Sequence, residues 1–146
     1  MSRRRNSNKY HAQKGATLVE FALVSLVLLG VIFTSFEIDR LLLTYTTLAN
    51  AASGAVRYAA VNGYYANGQN NYTSTNTDAI KTVAKTLATT GILDSSTVNT
   101  TVTYPDTTNN VGSQVSVTVT VPYAPFTNFF PISVTLGSTA VATICY

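Results

Sequence analysis

The run Ala16–Phe36, ATLVEFALVSLVLLGVIFTSF, restricts what this chain can become more than any other feature. It is 21 residues long and contains one ionisable side chain, Glu20. A helix of about 20 such residues crosses a hydrocarbon core of roughly 30 Å. Two other readings compete. A buried core helix would need a protein large enough to cover it on all sides, which one small domain is not. A removable secretory signal would have a shorter apolar stretch with a small-residue cleavage site close behind it. Ala49-Asn50-Ala51 has the right small residues, but Glu37, Asp39 and Arg40 lie between it and the apolar run. The run is therefore expected to form a transmembrane helix over residues 16–36.

Charge sets the expected orientation. The residues before the run carry Arg3, Arg4, Arg5, Lys9 and Lys14 and no acid. The rest carries Arg40, Arg57, Lys81 and Lys85 against six acidic residues, so the formal +3 of the whole chain belongs to its first 14 residues. A basic flank stays on the cytoplasmic side, which puts the C-terminal part outside. In that position the basic residues read as a topogenic signal rather than a nucleic-acid contact. The chain is then single-pass and lies in the inner or cytoplasmic membrane, with its N-terminus cytoplasmic.

Glu20 is the odd residue within the run. A carboxylate there costs a few kcal/mol on insertion and marks a functional position by default. The bland alternative is that it snorkels to the nearby interface. Its surroundings, Lys14-Gly15-Ala16-Thr17-Leu18-Val19-Glu20-Phe21, resemble the cleavage site of type IV-pilin-like precursors: a basic leader ending in Gly, then an apolar helix with Glu at the fifth mature position. Cleavage between Gly15 and Ala16 would free an α-amino group with a pKa near 8, cationic at neutral pH. Helix positions four apart lie about one turn apart. The Glu20 carboxylate could then meet its own amine or a neighbouring subunit's, and the family resemblance implies the second, in filament assembly. This chain has Ala16 where many type IV pilins carry a methylated Phe.

Helical periodicity continues beyond the run. Leu41, Leu42, Tyr45, Leu48, Ala52, Ala55, Val56 and Ala59 recur at offsets of three and four, and no Pro interrupts residues 16–60. Asn62-Gly63 is a stop signal. The small residues Ala49, Ala51, Ala52, Ser53, Gly54 and Ala55 would permit close backbone approach, either to the chain's own sheet or to another subunit.

The stretch Gly15–Ala60 is identified as resembling the TadE-like family, minor pilins or pseudopilins of tight-adherence (Flp-type) type IV pili. The matching pieces are Gly15–Ala22, Phe36-Glu37-Ile38-Asp39-Arg40-Leu41 and Asn50–Ala60, with Glu37, Arg40, Asn50, Arg57 and Tyr58 as the motif residues. The segment VPYAPFTNFFP (Val121–Pro131) also looks like that family. The resemblance implies a non-enzymatic assembly protein, processed by a prepilin peptidase after Gly15. Its implied partners are the peptidase, other minor and major pilins, the inner-membrane assembly platform and the membrane itself. The residue-level alternative is a permanently anchored extracytoplasmic binding or adhesion module.

The remainder reads as a small α+β head, pilin-like, in which the long helix is joined by a short helix and a three-stranded antiparallel sheet. The expected divisions are a leader (1–15), the span (16–36), a helical extension (37–62) and the head (63–146). Residues 64–77 read as loop, with Tyr64, Tyr65 and Tyr72 at the edge of the core or on a contact surface. Thr77-Asp78 is expected to cap a helix Asp78–Thr90 that Gly91 closes, with Ile80, Val83, Ala84 and Leu87 inward. Val98, Thr100, Val102 and Tyr104 alternate with polar residues, as do Val115, Val117, Val119 and Val121. Ile132, Val134, Leu136, Ala140, Ala142 and Ile144 mark a last extended element. Pro122–Pro131 reads as a loop whose aromatics Tyr123, Phe126, Phe129 and Phe130 are expected to cover the core or face the membrane or a neighbour. His11 is the single His and Cys145 the single Cys. His11 lies in the leader and would be cut away, so the mature chain has no His for a triad, and one Cys cannot make a cysteine-rich zinc site; no catalytic residue, metal or cofactor is expected.

Overall fold

The computed structural model describes residues 7–63, 77–90, 93–125 and 133–145, with side chains from Gly15 onward in the first segment. Five elements follow in chain order: α1 (Ser7–Val61), α2 (Asp78–Thr89), β1 (Asn99–Thr103), β2 (Gln114–Tyr123) and β3 (Val134–Thr143). The chain divides into two compact units, Met1–Asp39 and Arg40–Tyr146. The α+β class and the three-stranded sheet are as expected.

In the first unit α1 begins at Ser7, earlier than the Ala16 start expected from the apolar run. Residues 7–15 contain no proline, and their Asn, Lys, Gln and Ala side chains do not stop a helix. Hydrophobicity marks where a helix meets lipid, not where its backbone begins.

In the second unit one buried cluster gathers residues of α1, α2 and β2, together with Val98 and Ile144 beside β1 and β3. Leu48, Ala51, Ala52, Ala55, Val56 and Ala59 come from α1, Ile80, Ala84 and Ala88 from α2, and Val115, Val117, Val119 and Val121 from β2. The expected inward face of α1 needs correction. Leu41, Leu42 and Tyr45 are exposed, and Thr44 takes the inward place at 4% exposure. Its hydroxyl donates to the Arg40 carbonyl, so burial leaves no donor unpaired. On α2, Val83 is half-buried and Leu87 exposed, while Ala88 is buried.

The Thr77 cap also fails. Thr77 occupies the N-cap position but is buried and makes no side-chain cap bond. Asp78 in the first turn supplies the favourable negative charge instead and pairs with Lys81 at 3.5 Å. The helix ends at Thr89, with the Thr90 amide bonded to the Thr86 carbonyl. Gly91, the three loop tyrosines, Ile132 and the three loop phenylalanines lie outside the described residues.

The sheet is an antiparallel meander in the order β1-β2-β3. Alternation along β2 places Val115, Val117, Val119, Val121 and Tyr123 inward. Val98 and Tyr104, expected in the first strand, flank it instead. Pro122 sits beyond the end of β1, where β2 has only β3 beside it, so its missing amide breaks no β1–β2 bond. The β1–β2 loop opens with a turn at Pro105, in which the Thr107 amide donates to the Tyr104 carbonyl. Asp106 accepts from the Gln114 amide at 2.8 Å and so closes the hairpin. Gly112 takes a left-handed conformation (φ 92°) there, where a side chain would add strain. Half-burial of Tyr104 raises its phenol above the ordinary range, because burial disfavours the phenolate. Asp94 accepts from the Ser96 amide in a local turn, which holds its carboxyl below the usual range.

Candidate functional site

The candidate site is the length of α1 that carries the sequence motifs. Apolar side chains project all round it between Leu18 and Phe36, and Leu26 reaches 73% exposure. Its most apolar 18 residues have a mean hydropathy of 2.5, and none of that window is buried within the chain. It is the one helix among the described residues long and apolar enough to cross a membrane. Two of its hydroxyls bond back to the helix. Thr34 donates to the Gly30 carbonyl at 2.8 Å and Ser35 to the Val31 carbonyl at 3.1 Å. Such bonding lets a polar side chain sit in an apolar surround.

Gly15, Ala16 and Glu20 are all exposed on this helix. The Gly15–Ala16 peptide bond lies inside α1, and Cβ space at Gly15 is open. A peptidase that takes its substrate in extended form would have to unwind this turn. Glycine lowers the cost of doing so by about 1 kcal/mol relative to alanine.

The remaining motif residues separate into two groups. Asn50 and Arg57, two turns apart, lie on the exposed side of α1, with Ser53 between them. Tyr58 is half-buried against the core, and its carbonyl accepts from the Asn62 side chain at 2.9 Å. Glu37 is half-buried and Arg40 exposed. The Arg40 guanidinium lies over the Tyr123 ring, 5.3 Å from its centroid, and donates to the Ala124 carbonyl at 3.4 Å. This joins the start of the second unit's helix to the end of β2. Cation–ring contacts of this kind are worth about 0.5–1 kcal/mol when exposed. The Arg40–Tyr123 pairing was not foreseen from the sequence. Both residues stand in motif segments, but 83 positions separate them and nothing local links them.

The small-residue stretch serves the chain's own core. Ala51, Ala52 and Ala55 are fully buried, and a Cβ placed on Gly54 would collide with Leu87 Cδ1 of α2. Among the described residues no group of His, Cys, Asp and Glu is arranged to hold a metal ion.

The arrangement is that of an apolar helix with one carboxylate near its start, followed by a helical segment that supports a small sheet. Residues 15–57 match the family described as TadE-like protein. The TadE-like segment contains Gly15, Ala16, Glu20, Glu37, Arg40, Asn50 and Arg57, and stops short of Tyr58 and of Val121–Pro131. No curated protein and no solved structure matches the chain significantly.

Proposed function

We propose that this chain is a minor pilin or pseudopilin of a tight-adherence pilus, anchored by α1 and processed after Gly15 by a prepilin peptidase. The observation that carries the reading is the position of Glu20. It is the lone ionisable side chain of an exposed 21-residue apolar run, and stands five residues after Gly15 in the TadE-like segment. Once Ala16 has a free amine, Glu20 is one turn away from a cation in a medium where either charge alone is costly. A neighbouring subunit's amine satisfies the carboxylate as well as its own does, and this makes the pair an assembly contact. The partners under this reading are the peptidase, other pilins and the inner-membrane platform.

A blot of the product in cells with and without the peptidase tests the first step. The wild-type chain should shorten by about the mass of residues 1–15 only when the peptidase is present, and Gly15→Val should stay full-length and abolish piliation. A Gly15→Val chain that kept wild-type size and pilus formation would overturn the proposal. Glu20→Ala should be cleaved normally and still fail to assemble.

The second reading, a permanently anchored binding or adhesion module, is favoured by one observation, the unbroken helix across Gly15–Ala16. The same blot separates the two, since the anchored module never shortens.

A further inference from the structure

The two ends of the second unit differ in what they expose. At one end Arg40 of α1 lies over Tyr123 of β2, and Tyr123 stands opposite Val134 of β3. At the other the Cys145 amide donates to the Ala60 carbonyl. Among the described residues, nine large apolar side chains of this unit are exposed, and five of them, Leu41, Leu42, Leu43, Tyr45 and Val134, stand at the Arg40 end. Leu42 reaches 59% exposure. Val134 shares the face of its partner Tyr123, so it lies on the helix side of the sheet. The next exposed positions of α1 are polar: Thr46, Asn50, Ser53 and Arg57.

We infer that this end of the second unit is a lipid-contact surface, which rests in the headgroup layer of the membrane that α1 enters. Continuity with the apolar run names the occupant. Leu41 follows Phe36 by five residues. Five helical residues advance about 7.5 Å, and the headgroup layer beyond the hydrocarbon core is about 5–7.5 Å deep. Helical side chains lean toward the N-terminus, so those of Leu41, Leu42, Leu43 and Tyr45 reach back into that layer. Their directions point the same way. Consecutive helical residues project about 100° apart, so a protein docked on one face would cover one leucine and leave the others in water. A fluid layer surrounds the helix and covers all three. Tyr45 suits this depth, with an apolar ring and a hydroxyl that reaches water. The neighbouring charges Glu37, Asp39 and Arg40 fall within the polar layer, and the Arg40 guanidinium is held by the Tyr123 ring and the Ala124 carbonyl. The inference rests on the membrane anchoring of α1, and not on cleavage or pilus assembly.

The chain has no Trp, so single-Trp variants report depth without interference from a native indole. The full-length chain is placed in phosphatidylcholine vesicles that carry, in both leaflets, either nitroxide on the headgroup or bromine at the middle of the acyl chain. Leu42→Trp and Val134→Trp should lose most of their emission to the headgroup nitroxide, and Val111→Trp, at the opposite end, almost none. Leu28→Trp should be quenched by the bromine instead. Leu42 and Leu43 are exposed, so Leu42→Asn with Leu43→Asn should leave the fold intact and remove most of the nitroxide quenching at Val134→Trp. Quenching at Val134→Trp no greater than at Val111→Trp would overturn the inference, as would quenching there that survives the paired Asn substitutions. A second copy covering the patch would leave Leu42→Trp unquenched, which also overturns it. Absence of bromine quenching at Leu28→Trp would instead overturn the anchoring on which the inference rests.

Discussion

Residues 16–36 and residues 44–60 of α1 are both helical, both largely hydrophobic and both free of proline, yet the first stretch is exposed and the second supplies six of the fifteen buried residues of the core cluster. Side-chain size is what distinguishes them. The first is built from Leu, Val, Ile and Phe on every side. The second carries Ala51, Ala52, Ala55 and Ala59 along one stripe and polar or charged residues such as Asn50, Ser53 and Arg57 opposite. Bulky residues all round suit a helix solvated by lipid chains. A stripe of small ones brings the helix backbone close to its neighbours, so that the valines of β2 can be packed at interior density. One backbone conformation thus serves two solvents, and total hydrophobicity alone does not tell them apart.

The comparison is broken most severely by placing the same charge in each half. Ala52→Asp buries a carboxylate in the core and should cost about 4 kcal/mol or more, enough to unfold the second unit. Ala22→Asp should leave that unit folded and instead penalise membrane insertion by about 3 kcal/mol. Limited proteolysis reads the first effect and membrane fractionation the second. If both variants failed in the same assay, the two halves would not have the separate roles assigned to them.

A milder pair sharpens the contrast. Leu48 is fully buried, so Leu48→Ala should destabilise the second unit by about 2–5 kcal/mol, through lost contacts and a residual cavity. Leu28 is exposed, and Leu28→Ala should shift the same urea midpoint by less than about 0.5 kcal/mol. Equal shifts would mean that Leu28 also packs against the folded unit.

Much of the second unit was legible because its strands have a period that allows one answer. The alternation of Val115 to Val121 fixes which side of β2 is inward, and a slip by one residue would expose all four valines. The helix between residues 41 and 48 lacked that property. Leu41, Leu42 and Leu43 are consecutive, so apolar residues occupy nearly every direction and the pattern does not select a face. The face is chosen by close packing, and it selects Thr44 because a hydroxyl bonded to the Arg40 carbonyl buries without penalty. The site divides similarly. Gly15 and Glu20 are singled out by local spacing alone, whereas the Arg40–Tyr123 contact depends on long-range closure that no local pattern encodes.

The smallest expected effect tests the close approach itself. Replacing Gly54 by Ala gains about 1 kcal/mol of helix propensity, but the new methyl meets Leu87 Cδ1. Leu87 is 41% exposed and at the far end of a flexible side chain, so it can swing outward and give up part of its packing. Gly54→Ala alone should therefore be nearly neutral. In a Leu87→Ala background the obstruction is gone, and the same change should stabilise by about 1 kcal/mol. The departure from additivity in this double-mutant cycle measures the contact between the two helices. If Gly54→Ala stabilised equally in both backgrounds, α1 and α2 would not meet at Gly54, and the small-residue stripe would need an explanation other than close packing within the chain.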